Sequence, residues 1–142
     1  MDDKTTTTLL NELQSTKNVY DFINQNQNNL KTYPLPEYLN YLLHEKNCTK
    51  SEIIKRSGLN QIYAYHIFSG NKKPSRKKVI SLALAFQLTF KEAQILLKCA
   101  HISELYIRNP WDSIIIYALN QHLNVLSTNE LLMNLTETSF LE

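Results

Sequence analysis

Only two glycines, Gly58 and Gly70, occur in this chain of 142 residues. Tight β-hairpin turns depend on residues that accept positive φ, above all glycine, so the chain has few places to turn one strand back on another. Its apolar residues recur instead at intervals of three and four, as on one face of an α-helix. The clearest stripes are Leu39/Leu42/Leu43, Val79/Leu82/Ala83/Phe86 and Ala93/Leu96/Leu97. The sequence therefore predicts an all-α protein.

Helix start signals stand in front of these stripes. Capping-box patterns begin at Thr49, Thr89 and Ser127, where a hydroxyl and a glutamate three residues later can satisfy the first N–H groups of a helix. Asn109-Pro110 offers a cap followed by a proline at the first helical position. With the apolar periodicity, these signals predict helices near residues 36–46, 49–57, 61–69, 75–87, 90–100, 110–121 and 128–135.

The composition divides the chain into three parts. Residues 1–33 form an N-terminal arm with apolar residues for two short amphipathic helices, a polar run (NQNQNN) and a break (YPLP). We expect a helical domain at residues 34–100 to follow this arm. Residues 101–142 then form a helical extension that serves packing or dimerisation.

The basic residues are concentrated in one segment. Residues 46–78 hold nine lysines and arginines and one glutamate, so this segment carries +8, whereas the rest of the chain carries −6. A basic block inside an otherwise acidic chain favours a polyanionic partner. The alternative is a charged face that only contacts solvent.

Few features of the chain favour an enzyme, a cofactor or a metal site. The histidines lack the spacing of metal ligands, and both glycines are placed as helix stops rather than in a phosphate-binding loop. The apolar runs are too short to cross a bilayer, and the acidic start MDDK is unlike a secretory signal. Cys48 and Cys99 are expected to be reduced thiols of a cytoplasmic protein, and the alternative is a disulfide between them.

The two glycines bracket a pair of short helices joined by the residues GLN. Gly58 falls where the first helix must end in a left-handed residue, and Gly70 ends the second helix in the same way. Asn60 can cap the second helix. The facing apolar residues are Ile53, Ile54, Ala64, Ile67 and Phe68. This is the layout of a helix-turn-helix.

Residues 49–75 resemble the Cro/C1-type helix-turn-helix of bacterial and phage repressors, the lambda-repressor-like XRE family. The resemblance rests on the segments TKSEIIKRSGLN, QIYAYHIFSG and NKKPS. With the flanking helices it covers about residues 36–100, a five-helix domain. It implies a sequence-specific transcriptional regulator, expected to be a repressor, that places its third helix in the major groove of double-stranded DNA.

The resemblance also implies which side chains contact DNA. Gln61 stands where the family often has a base-reading glutamine, whose amide can pair bidentately with adenine. The expected base-reading residues are Gln61, Ile62, Tyr63, Tyr65 and His66. Arg76, Lys77 and Lys78 begin a helix, where the macrodipole disfavours cations unless an anion binds. The expected phosphate contacts are Thr49, Lys50, Asn60, Lys72, Lys73, Arg76, Lys77 and Lys78.

Two features depart from the family pattern. Ile54 replaces an alanine and Ala64 replaces a larger residue, which would conserve core volume if the two exchange space. The outer face of the third helix is aromatic, which is typical of protein-binding surfaces. The alternative is therefore a helix-turn-helix used as a protein-interaction module, without DNA reading. If Tyr63 and Tyr65 are covered by the C-terminal helices, groove reading needs a rearrangement.

The predicted helix at 110–121 is apolar on nearly all sides and must be buried in the domain or in a partner. Repressors of this family usually act as dimers. We expect a homodimer through the C-terminal helices, with Ile116 and Tyr117 on the second apolar face. The alternative is that these helices complete the core of a monomer.

Overall fold

The computed structural model describes residues 4–26 and 33–136, and within these ranges it contains nine α-helices and no β-strand. The all-α prediction is therefore confirmed. The helices are α1 Thr6–Ser15, α2 Val19–Gln25, α3 Leu35–Glu45, α4 Lys50–Ser57, α5 Gln61–Ser69, α6 Arg76–Phe86, α7 Phe90–Cys99, α8 Pro110–Asn120 and α9 Val125–Thr136.

The chain divides into two compact units, Met1–Thr32 and Tyr33–Glu142. In the first unit, Lys4 Nζ donates hydrogen bonds to Glu12 Oε2 at 3.0 Å and to Asn26 Oδ1 at 2.6 Å. Phe22 and Asn26 are buried, whereas most of the apolar residues that predicted α1 and α2 are exposed. The predicted polar linker is the run NQNQNN at residues 24–29; residues 24 and 25 belong to α2, Asn26 follows the helix, and residues 27–29 lie outside the described residues.

Helix α6 is the centre of the second unit. Its residues 79–86 are all buried, and it packs against α4, α7 and α9. A helix that is buried on every side requires neighbours on every side. Its neighbours bury apolar residues of their own, including Leu39 of α3, Ile53 of α4, Leu96 of α7 and Ile115 of α8. These residues belong to one continuous apolar core.

Helices α8 and α9 belong to the same compact unit as α3–α7. Ile115, Ala118 and Leu119 of α8 are buried, and Ile114 and Ile116 are partly buried against the core. One side of α8 is open to solvent, where Tyr117 is 53% exposed. Of the two residues predicted on the second face of α8, Ile116 therefore packs on its own chain and Tyr117 faces outward.

The predicted start of the last helix is wrong. Helix α9 begins at Val125, three residues before the predicted start, and Asn124 Oδ1 accepts a hydrogen bond from the Ser127 N–H at 2.8 Å. Asn124 rather than Ser127 thus supplies the cap. Starting the helix at Val125 brings this buried residue into the core, which explains why the earlier cap is used. The capping boxes at Thr49 and Thr89 are both confirmed.

Candidate nucleic-acid interface

The turn between α4 and α5 is fixed by local hydrogen bonds. Gly58 has φ 72° and ends α4 in the left-handed conformation. The buried Ser57 Oγ donates to Ile54 O at 2.7 Å and accepts from the Leu59 N–H at 3.2 Å. Asn60 Oδ1 accepts from the Tyr63 N–H at 3.1 Å and so caps α5, as predicted. The sequence therefore gives α5 a defined starting point and direction.

The inner faces of α4 and α5 close on each other and on the core. Ile53, Ile54, Ala64, Ile67 and Phe68 are all buried, as the apolar pattern indicated. Ala64 has no exposed surface, so a larger side chain there would need space that the neighbouring helices already fill. Gly70 ends α5 with φ 86°, and a Cβ at this position would lie 3.2 Å from Pro36 Cγ.

The outer face of α5 is open. Ile62 is 72% exposed and Tyr65 is 39% exposed, and Gln61 beside them is exposed too. Helix α5 packs against α3 and α4, whereas α8 and α9 pack against α6, α7 and each other. The C-terminal helices thus leave Ile62 and Tyr65 accessible.

Tyr63 and His66 differ from their neighbours on α5, because both are only partly exposed. Tyr63 packs against the core, and Lys78 Nζ lies 5.1 Å from the centroid of its ring. This cation–π contact brings the first turn of α6 next to the first turn of α5. Base-reading candidates and basic residues that are distant in sequence therefore meet here.

A shallow depression lies between α4 and α5 on the side of Gln61 and Tyr65. Ser51 and Lys55 of α4 form the opposite wall. Gln61 and Tyr65 therefore reach a common concave surface, where the glutamine amide and the tyrosine hydroxyl could both contact one ligand.

The lysines predicted to hold phosphates lie in different environments. Lys72 and Lys73 are exposed in the loop between α5 and α6, and Lys77 is exposed in the first turn of α6. Lys50 is partly buried, with its Nζ 5.9 Å from the centroid of the Phe68 ring. Thr49 and Asn60 use their side-chain oxygens as helix caps.

Arg76 is engaged within the chain, in contrast to the prediction that it contacts phosphate. Its Nη1 and Nη2 donate to the two carboxylate oxygens of Asp112 at 2.9 and 2.8 Å. Its Nε donates to Ser103 O at 3.0 Å, and Nη2 also donates to Glu104 O at 2.9 Å. Four of the five guanidinium donors are thus used. The geometry makes Arg76 a structural partner of Asp112 rather than a phosphate contact.

Asp112 supplies the negative charge that the first turn of α6 lacks. Helix α6 has no acidic residue in this turn and no side-chain cap from Ser75, unlike α4 and α7 with their glutamates. The Asp112 side chain is 5% exposed and also accepts from the Tyr106 N–H at 2.9 Å. Nothing in the sequence pairs Arg76 with a residue 36 positions away, so this contact could not be found from spacing.

The two cysteines do not form a disulfide, and burial favours the protonated form of both thiols. Burial raises the pKa of both thiols. At Cys99, a hydrogen bond with the Tyr33 backbone lowers the pKa by a smaller amount. A raised pKa keeps a thiol in its less nucleophilic, neutral form. In the part of the chain that the structure describes, no group of three or more His, Cys, Asp or Glu residues could hold a metal ion.

Comparison of the chain with protein-family models, curated proteins and solved structures found no match. The resemblance of residues 36–100 to the Cro/C1-type domain therefore stays a prediction from sequence. No helix among residues 4–26 and 33–136 is long and apolar enough to span a membrane.

Proposed function

We propose that this chain is a cytoplasmic, sequence-specific DNA-binding transcriptional regulator of the Cro/C1 type, and a repressor. Helices α3–α7 would form its lambda-repressor-like five-helix domain, and α5 would enter the major groove. One observation carries the proposal. The exposed start of α5, at Gln61 and Ile62, lies beside the basic start of α6, because Lys78 stacks on Tyr63.

The side chains at the start of α5 suit the edges of base pairs. The Gln61 amide offers a donor and an acceptor that match adenine N7 and N6, and Ile62 offers an apolar surface that matches the methyl group of thymine. Tyr65, one turn further along, can donate its hydroxyl to a base or a phosphate. His66 and Tyr63 are half-buried and would contact only the border of the groove.

The lysines around α5 suit the DNA backbone. Lys72, Lys73 and Lys77 are exposed, and the ammonium groups of Lys50 and Lys78 lie over aromatic rings. Phosphate contacts of this kind fix the position of the protein but carry no sequence information. Arg76 would act indirectly by holding the start of α6 against Asp112.

Gln61→Ala is the variant that tests base reading. On a site selected from a pool of random duplexes, it is expected to weaken binding by about 2 kcal/mol, with little change on random DNA. Titration of both duplexes at one salt concentration measures the two losses. Gln121→Ala, which removes an exposed glutamine at the end of α8, is the matched control and should change neither affinity. Equal losses on both duplexes would mean that Gln61 only positions the protein.

The exposed apolar residues on α5 favour one alternative function. Ile62 and Tyr65 together form the kind of surface that binds proteins. In that case the helix-turn-helix would dock a protein partner through α5 and would not bind DNA. A wild-type chain that binds no duplex at low salt would support this alternative and contradict the regulator.

We further propose that the regulator is a homodimer through α8 and α9. Ser113, Ile114 and Tyr117 of α8 and Leu131 and Leu135 of α9 line a groove on the outside of this helix pair. Leu135 is 65% exposed. A second copy would cover these apolar side chains and present two copies of α5 to half-sites about 34 Å apart.

Tyr117→Asp with Leu135→Asp is expected to convert the dimer into a monomer, because two carboxylates cannot be buried in an apolar contact without a partner. Light scattering at micromolar concentration should fall from twice the chain mass of 16.6 kDa to that mass. Tyr106→Asp, at another exposed tyrosine outside the groove, should leave the mass unchanged. A wild-type monomer that binds a palindromic duplex tightly would contradict the dimer.

A further inference from the structure

A cavity of about 450 Å³ lies where the start of α3, the end of α5 and the end of α7 meet the loop that joins α5 to α6. Its volume is within the range of pockets that hold small molecules. It is separate from the depression between α4 and α5, because the two share no lining residue. Base reading by α5 and dimerisation by α8 and α9 do not use it, whereas the phosphate contacts proposed for Lys72 and Lys73 share its rim.

The walls of this cavity are apolar. Leu35, Ile67 and Cys99 are buried, and Ala100 is partly buried at the end of α7. The thiol adds no charge, because burial raises the pKa of Cys99. An apolar group that fills such a site leaves water and gains dispersion contacts.

The rim of the same cavity is basic. Lys72 and Lys73 lie on it and are both exposed. No aspartate or glutamate is among the described residues that line the cavity, so no acidic lining residue neutralises the two ammonium groups there. Their charge opposes a cationic ligand and favours an anionic one.

We propose that this cavity binds a small amphipathic carboxylate, which is a carboxyl group on a short alkyl chain. The alkyl chain would lie against Leu35, Pro36 and Ala100, and the carboxylate would accept charge-assisted hydrogen bonds from Lys72 and Lys73. A free inorganic anion would leave the apolar walls unfilled. A neutral hydrocarbon would leave the ammonium groups of Lys72 and Lys73 without an anionic group to bind.

Such a ligand would also regulate DNA binding, a consequence that rests on the proposed function. The phosphate contacts proposed for Lys72 and Lys73 need the same two ammonium groups as the carboxylate. Ligand and DNA then weaken each other's binding by the same factor.

Octanoate is the probe for the site, with acetate and 1-octanol as matched ligands that lack the tail or the charge. Calorimetry on the full chain is expected to show saturable octanoate binding with one site, and binding at least about tenfold weaker for each of the other two. Methyl chemical shifts of Leu35 and Ala100 should move during the octanoate titration. Absence of saturable octanoate binding, equal binding of 1-octanol, or shifts confined to other methyl groups would overturn the proposal.

Variants test separately how the two lysine charges and the cavity volume contribute to octanoate binding. Lys72→Gln with Lys73→Gln should weaken octanoate about tenfold, and Lys91→Gln, at an exposed lysine of α7 that does not line the cavity, should leave it unchanged. Ala100→Leu should fill the cavity and abolish binding. If this variant does not fold, the methyl shifts of the wild type decide the location.

Measuring DNA affinity with and without octanoate separates a failure of the proposed cavity site from a failure of the proposed function. Saturating octanoate is expected to lower the affinity for duplex DNA about tenfold, the same factor by which the DNA lowers octanoate affinity. Octanoate binding by a chain that binds no DNA would contradict the regulator and support the site. Octanoate binding with unchanged DNA affinity would overturn the competition, and DNA binding without octanoate binding would overturn the site.

Discussion

Replacing Asp112 with alanine is expected to lower the free energy of unfolding by about 3 kcal/mol. The Asp112 carboxylate is 5% exposed and accepts hydrogen bonds from Arg76 Nη1 and Nη2 and from the Tyr106 N–H. Removing the carboxylate leaves the Arg76 guanidinium and the Tyr106 N–H without their hydrogen-bond acceptor at a partly buried site. Because the Arg76 side chain is 27% exposed, water can partly replace the carboxylate, so the loss lies at the low end of the range for buried pairs.

Urea unfolding of matched variants measures this loss. Glu104→Ala removes the acid of an exposed ion pair with Lys98, at 3.0 Å, and should cost less than about 1 kcal/mol. Combining Asp112→Ala with Arg76→Ala should cost less than the sum of the single changes, because the two side chains act as one unit. If Asp112→Ala and Glu104→Ala cost the same, the buried pair adds nothing beyond a surface ion pair.

The Arg76–Asp112 contact bears on the organisation of the chain. The sequence treats residues 101–142 as an extension of a domain that ends at residue 100. In the structure, Arg76 at the start of α6 is held by the backbone of Ser103 and Glu104 and by the first turn of α8. A chain cut at residue 100 would therefore lose partners of its central helix. The extension stabilises the element that the proposed phosphate contacts depend on.

Local features of the fold could be predicted from the sequence because their causes are local. Gly58 and Gly70 end helices with positive φ, and Asn60 caps α5. Each of these features depends on residues within a few positions of one another. The same holds for the capping boxes at Thr49 and Thr89, which both form.

Features that depend on which helices meet could not be predicted. Arg76, Lys77 and Lys78 are adjacent cations that look equivalent in sequence, yet Arg76 faces Asp112 and Lys78 faces Tyr63. The planar guanidinium suits a bidentate carboxylate, which explains why the arginine rather than a lysine occupies that position. Periodicity also placed Ile116 with Tyr117 on a second face of α8, but it fixes only the angle between side chains on one helix, and Ile116 is partly buried against the core. Whether a residue on that helix is exposed depends on which other helices pack against its side.

Removing both loop lysines, by Lys72→Ala with Lys73→Ala, is expected to weaken the binding of any duplex by about 60-fold at 0.1 M salt. Each neutralised phosphate contributes about 0.9 to the slope of log affinity against log salt, so two lost contacts lower the slope by about two. Because phosphates carry no sequence, the loss should be the same on a selected site and on random DNA, unlike the loss for Gln61→Ala.

The control for this salt titration removes the same charge elsewhere. Lys91→Ala with Lys98→Ala takes two exposed lysines from α7, neither of which borders α5 or its adjoining loop in the sequence. If contacts at the loop matter, only the Lys72/Lys73 variant lowers the slope by about two. If both variants lower affinity alike, the net charge of the chain attracts DNA without a defined footprint. An unchanged slope for the Lys72/Lys73 variant would remove these lysines from the interface, and Lys50, Lys77 and Lys78 would then have to carry the phosphate contacts.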